Sequence, residues 1–93
     1  RGAGMALLVD DEELVRASTA GMLADLGFAV EEACDGEEAL RRVRAGLRPD
    51  ILVTDQLMPG ISGTDLALRL RETLPDLPVL IVSGYADLES LSP

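Results

Sequence analysis

With 93 residues, 47% hydrophobic and only 2% aromatic, the chain has material for one compact domain with an aliphatic core, and it is too apolar to be disordered. A formal net charge of −9 argues against nucleic-acid or anionic-membrane partners, and the absence of His removes Ser-His-Asp and Cys-His catalysis and most zinc sites. The single cysteine, Cys34, allows no internal disulfide, which fits a reducing, cytoplasmic setting. No apolar run approaches the roughly 20 residues of a membrane span, and no signal peptide is visible. All eight basic residues are Arg; there is no Lys.

Residues 1–5, glycine-rich and without apolar periodicity, read as a linker remnant, so the domain is expected over 6–93. Ala6 to Val9 is a short apolar run of the buried-strand type, stopped by Asp10 and Asp11. Glu12 to Leu26 is predicted as a helix, with Val15, Met22, Leu23 and Leu26 near one face and Gly27 as its C-terminal cap. Phe28 to Ala33 reads as a strand and Asp35-Gly36 as a turn. Glu37 to Ala45 is a second helix with Ala39, Leu40 and Val43 on its apolar side and Arg late in it. Ile51 to Thr54 is a third strand, β-branched and ended by Asp55. After a loop containing Met58-Pro59-Gly60, Thr64 to Leu74 is a third helix, with Leu66, Leu70 and Leu74 at four-residue spacing. Pro75 and Pro78 break the chain before a fourth buried-type strand, Val79 to Val82. Ser83-Gly84 is a turn, and Asp87 to Leu91 begins a further helix.

Strands alternating with helices point to an α/β fold, a doubly wound parallel sheet covered on both faces. In such sheets ligands bind at the carboxyl ends of the strands, which here carry Asp10, Asp11, Asp35, Asp55 and Ser83. If the first and third strands are neighbours, about 4.8 Å apart, their terminal carboxylates can share one small cation. Carboxylates that close repel unless a positive charge intervenes. The donors are all oxygen, which selects a hard ion such as Mg²⁺ or Mn²⁺ and leaves room for phosphoryl chemistry. Each acid also has a plainer reading. Asp10-Asp11 can cap the first helix, Asp55 can be a turn residue, and Ser83-Gly84 alone is a turn signal. Their joint placement on strand ends is what points to a site.

These motifs resemble a response-regulator receiver domain of two-component signalling, from Leu7 to about Glu89. The acidic pair stands in Leu7-Leu8-Val9-Asp10-Asp11-Glu12, the phosphoacceptor motif in Asp55 to Gly63, the fourth-strand hydroxyl at Ser83, and the second turn and helix in Asp35 to Leu40. The resemblance implies a flavodoxin-like topology of strand order 2-1-3-4. It implies that Asp55 accepts a phosphoryl group from the phosphohistidine of a histidine kinase or phosphotransfer domain. Mg²⁺ would be held by Asp11, Asp55 and the backbone carbonyl of Leu57, with Asp10 acting mainly through water, and Ser83 would hydrogen-bond the phosphoryl oxygens. The module would be a phosphorylation switch rather than a metabolic enzyme, promoting only its own phosphorylation and dephosphorylation.

One departure stands out. Receivers carry a fifth strand ending in Lys-Pro and a fifth helix, and neither lies within these 93 residues. Those elements are expected beyond Pro93 in a parent protein. The Ser83 to Asp87 run and the Arg/Gly-rich start resemble receivers fused behind a histidine kinase, with a stand-alone receiver or a regulator carrying an output domain as the alternatives. Without a fifth strand, Val79 to Val82 would be an apolar edge open to pairing between two copies. The missing Lys keeps open a degenerate receiver serving only as an interaction module. A small phosphohydrolase fits less well, since the position two beyond Asp55 is Leu57, where such enzymes place an acid.

Overall fold

The computed structural model describes residues 2–82. Four strands and three helices alternate along it: β1 (Gly4–Val9), α1 (Glu13–Asp25), β2 (Phe28–Ala33), α2 (Gly36–Arg44), β3 (Ile51–Asp55), α3 (Gly63–Leu70) and β4 (Val79–Val82). All strand pairings are parallel, in the order β2-β1-β3-β4. The α/β class and the predicted order are therefore as expected. Ser83 and the predicted helix at Asp87 to Leu91 lie outside the described residues.

The strand order dictates where the helices go. The step from β1 to β2 runs one way across the sheet, and the step from β2 to β3 reverses over β1. Right-handed crossovers then put α1 on one face and α2 on the other, and α3 joins α2 because β4 continues in the direction of β3. The two apolar clusters follow this division. Leu7, Val9 and Leu52 pack with Ala39, Leu40 and Val43 of α2 and Leu66, Ala67 and Leu70 of α3. Ala6, Leu8 and Val53, the alternate strand positions, pack with Leu23 of α1.

The α1 side departs from expectation. Leu23 is the one buried residue of the helix, while Val15, Met22 and Leu26 are exposed. The physical reason is coverage: among the described residues α1 is the only helix on its face, so no second helix closes over its flanks. Exposure of Leu80 on β4, at 52%, belongs to the same bare face.

Two boundaries also moved. β1 begins at Gly4, where Gly4 and Met5 pair with Phe28 and Ala29. Asp50, 45 residues away, anchors this start: the Met5 amide donates to its carboxylate at 2.7 Å, and its own amide donates to the Met5 carbonyl at 2.8 Å. Gly4 has φ +109°, a conformation that side chains disfavour. The third helix stops at Leu70 rather than Leu74, because the Arg71 guanidinium donates to the Leu77 carbonyl and folds 71–77 into turns. Leu74 still packs against the core from that turn.

Candidate functional site

The reversal of direction between β1 and β3 leaves a crevice at their carboxyl ends, the usual ligand position in an open α/β sheet. Val9 is level with Thr54, so the next residues on the two strands, Asp10 and Asp55, emerge side by side. Asp11 follows in the corner before α1. One carboxylate oxygen from each of Asp10, Asp11 and Asp55 lies within 4.8 Å of the others. The structure thus brings together three of the predicted site residues. Leu57 sits two residues beyond Asp55 in the loop and is 78% exposed.

The three acids are held differently. Asp10 is buried, and its carboxylate accepts the Glu12 amide at 2.9 Å. α1 itself is capped by Glu12 with no side-chain hydrogen bond, so Asp11 does no capping. Asp35 does: its carboxylate accepts the Glu38 amide at 2.8 Å, which takes it out of the acid cluster. Asp55 is half-buried at the end of β3. Its carboxyl is pushed above the usual range, first by loss of solvent, then by the charge of Asp10 and, more weakly, Asp11. The amides of Gln56 and Leu57 pull the other way.

Backbone packing fixes Asp55 from beneath. The Gly63 amide donates to the Gln56 carbonyl at 3.0 Å, and the Gln56 side-chain oxygen accepts the Thr64 amide and hydroxyl at 2.8 and 2.9 Å. A Cβ on Gly63 would fall 3.0 Å from the Gln56 Cα and nearer still to the Asp55 carbonyl oxygen. Only glycine lets α3 start this close to Asp55 and Gln56. Buried Thr54 adds a hydrogen bond from its hydroxyl to the Asp55 carbonyl at 2.9 Å.

Sequence reasoning missed Arg16. Its guanidinium donates to the Asp10 carbonyl at 2.8 Å and to the Glu32 carboxylate at 3.0 Å, tying the β1–α1 corner to β2. An Arg one turn into a helix that follows an acidic pair was the available signal.

The family follows from a match along the chain: a profile of the response regulator receiver domain covers residues 6–92. The chain belongs to the response regulator receiver family. The receiver is 41% identical over 87 residues to the sensor kinase CckA of Brucella abortus, spanning 92% of this chain and 9% of that protein. It is 44% identical over 78 residues to the response regulator MprA of Mycobacterium ulcerans, spanning 84% of this chain and 33% of the relative. It therefore spans a third or less of these curated relatives. The solved structure of the response regulator TrrA from Thermotoga maritima, in complex with Mg²⁺ and BeF, superposes with a TM-score of 0.80 at 32% identity, covering 92% of this chain and 74% of that one. The receiver is a signalling module. None of its described helices is long and apolar enough to cross a membrane.

Proposed function

We propose that this receiver accepts a phosphoryl group on Asp55 from a phosphohistidine of a histidine kinase or phosphotransfer domain, in a Mg²⁺-dependent step that switches its conformation. The observation that carries the reading is the convergence of Asp10, Asp11 and Asp55 at the ends of two adjacent parallel strands, where burial and neighbouring acids disfavour the charge of Asp55.

The residues present fit Mg²⁺. All the donors are carboxylate or carbonyl oxygens, as that ion prefers. One oxygen from each of the three carboxylates lies within 4.8 Å of the others, close enough for one small cation to be shared among them. Asp11, Asp55 and the Leu57 carbonyl would hold the ion, with Asp10 acting mainly through water. When bound, Mg²⁺ neutralises charge on the transferring phosphoryl oxygens.

The chain's own residues do the rest. Asp55 attacks phosphorus with a carboxylate oxygen, the phosphorus–nitrogen bond breaks, and the histidine nitrogen leaves with the electron pair. Arg16 holds the Asp10 backbone and so fixes the acidic pair. Leu14, 86% exposed, and Leu57 flank the acids in sequence and offer apolar surface to a protein donor. Ser83 would hydrogen-bond the transferred group. The new charge of about −1.5 to −2 beside existing carboxylates forces the surrounding loops to supply donors, and that rearrangement is the signal.

The likeness to the sensor kinase CckA and the response regulator MprA, of which this chain spans 9% and 33%, supports a place in a longer signalling protein. Among the described residues β4 lies at the end of the sheet with Leu80, Ile81 and Val82 exposed, which supports the further expectation of edge pairing between two copies.

Acetyl phosphate with Mg²⁺, followed by intact mass, tests the central claim. One phosphate adduct is expected, absent with EDTA and absent in Asp55→Asn. The lack of any Asp55-dependent adduct, in this chain or in a longer protein containing it, would sink the reading.

A further inference from the structure

We propose that the cleft between α2 and α3 is a docking site for a carboxylate-rich segment of a partner protein. Arg41, Arg44 and Arg69 line it with Glu37, Leu40 and Ile61, around a volume of about 220 Å³.

The accounting of arginines carries the inference. Four of the seven in the described residues are engaged with the chain itself. Arg16 binds the Asp10 carbonyl and Glu32, and Arg42 binds Glu31 and the Glu32 carbonyl. Arg48 donates to the Val43 and Leu47 carbonyls, and Arg71 to the Leu77 carbonyl. The other three, Arg41, Arg44 and Arg69, make no hydrogen bond or ion pair among the described residues, and all three face this one cleft. Random solvation of surface arginines would scatter them. Here, in a chain of net charge −9, free guanidinium groups from two different helices converge on one opening.

The lining distinguishes among anions. Guanidinium groups pair with carboxylates and with phosphates through two parallel hydrogen bonds, so the choice between them falls to the rest of the lining. Glu37 stands on the same wall, one turn before Arg41, and would repel a compact phosphate held at the centre. Leu40 and Ile61 are buried and give the cleft an apolar floor. An extended segment that alternates acids with leucine-like residues matches all of these features, with its carboxylates placed clear of Glu37. The surface lies away from the acid cluster but not apart from it, since Ile61 belongs to the loop that follows Asp55.

Fluorescence anisotropy with a labelled hexapeptide of four glutamates and two leucines tests this. Binding should be weakened by added salt. It should fall about tenfold or more in the triple variant Arg41→Gln, Arg44→Gln, Arg69→Gln. A charge-matched variant, Ser18→Glu, Ala24→Glu, Thr73→Glu, alters exposed positions outside the cleft and should bind nearly as well as the parent. Thermal melts confirm that both variants are folded, and amide shifts on titration should cluster in α2 and α3. Equal losses in the two variants would overturn the proposal, as would equal binding of the peptide with its glutamates replaced by glutamine. So would cleft-dependent binding of pyrophosphate without binding of the peptide, or no peptide binding at 1 mM-scale concentrations, about the weakest affinity such a contact would show.

Discussion

Asp55→Asn should make the metal-free protein more stable, not less. Asp10 and Asp55 carry oxygens within 4.8 Å of each other. Two unit charges at that separation repel by about 0.9 kcal/mol in bulk water and about 3.5 kcal/mol at an effective dielectric near 20. Asp10 is buried and Asp55 half-buried, so a relief of about 1–2 kcal/mol is expected. Asn keeps an oxygen able to accept the Gln56 and Leu57 amides. For a domain of this size that corresponds to a rise of roughly 4–16 °C in Tm. The sign with pH follows from the raised carboxyl of Asp55. Its folded form holds the proton more tightly than its unfolded form. The protein is therefore least penalised at low pH and loses that advantage as pH rises through the raised value. The gap between variant and parent should be full at pH 7 and shrink as pH falls toward the ordinary carboxylate range. Mg²⁺ should raise the Tm of the parent and do much less for the variant. Circular dichroism melts of parent and variant, in EDTA and in Mg²⁺, at pH 7.5 and near pH 4.5, supply the comparison. A variant that melts at or below the parent at neutral pH in EDTA would refute the reasoning.

Gly63→Ala should destabilise by about 2 kcal/mol or more, since the added methyl meets backbone atoms of Asp55 and Gln56 that cannot swing aside; urea titration reads the loss, and phosphorylation should slow as Asp55 shifts. Arg16→Ala should weaken Mg²⁺ affinity severalfold, measured by calorimetry, because the corner carrying Asp10 and Asp11 loses its tie to β2. Asp35→Ala should cost about 1 kcal/mol in denaturant, the usual value of a helix N-cap. Cys34 should alkylate more slowly than a free cysteine at pH 8, and Glu38→Gln should speed it, because the Glu38 carboxylate, through its hydrogen bond, is the chief cause that holds the thiol pKa up.

The strands and their terminal acids were legible because both signals are local: an apolar run and the residue that ends it. The pairing of β1 with β3 needed the receiver resemblance, since no local feature names a strand's neighbour. What stayed hidden depends on distant partners. Gly4 looks like linker until Asp50 is seen holding Met5. Leu74 sits on the helical apolar stripe, yet Arg71 and Leu77 end the helix before it. Val15, Met22 and Leu26 form an apolar face by spacing, but burial requires something to bury against, and the described residues place only α1 on that side. Arg16 was one charge among eight until its two acceptors were in view.

The close seat of α3 on Asp55 has a consequence for tolerated change in chain length. Gln56 grips Gly63 and Thr64 at both its backbone and its side chain, so the intervening residues 57–62 form a loop whose two ends are stapled together. Extra residues near Gly60, where the backbone already has φ +84°, would lengthen the loop without moving either end. A single residue inserted between Asp55 and Gln56, or between Gly63 and Leu66, would instead rotate the helix off its seat. The distance that matters to Asp55 is thus measured through space across the staple, and the length of the path around it is free to change.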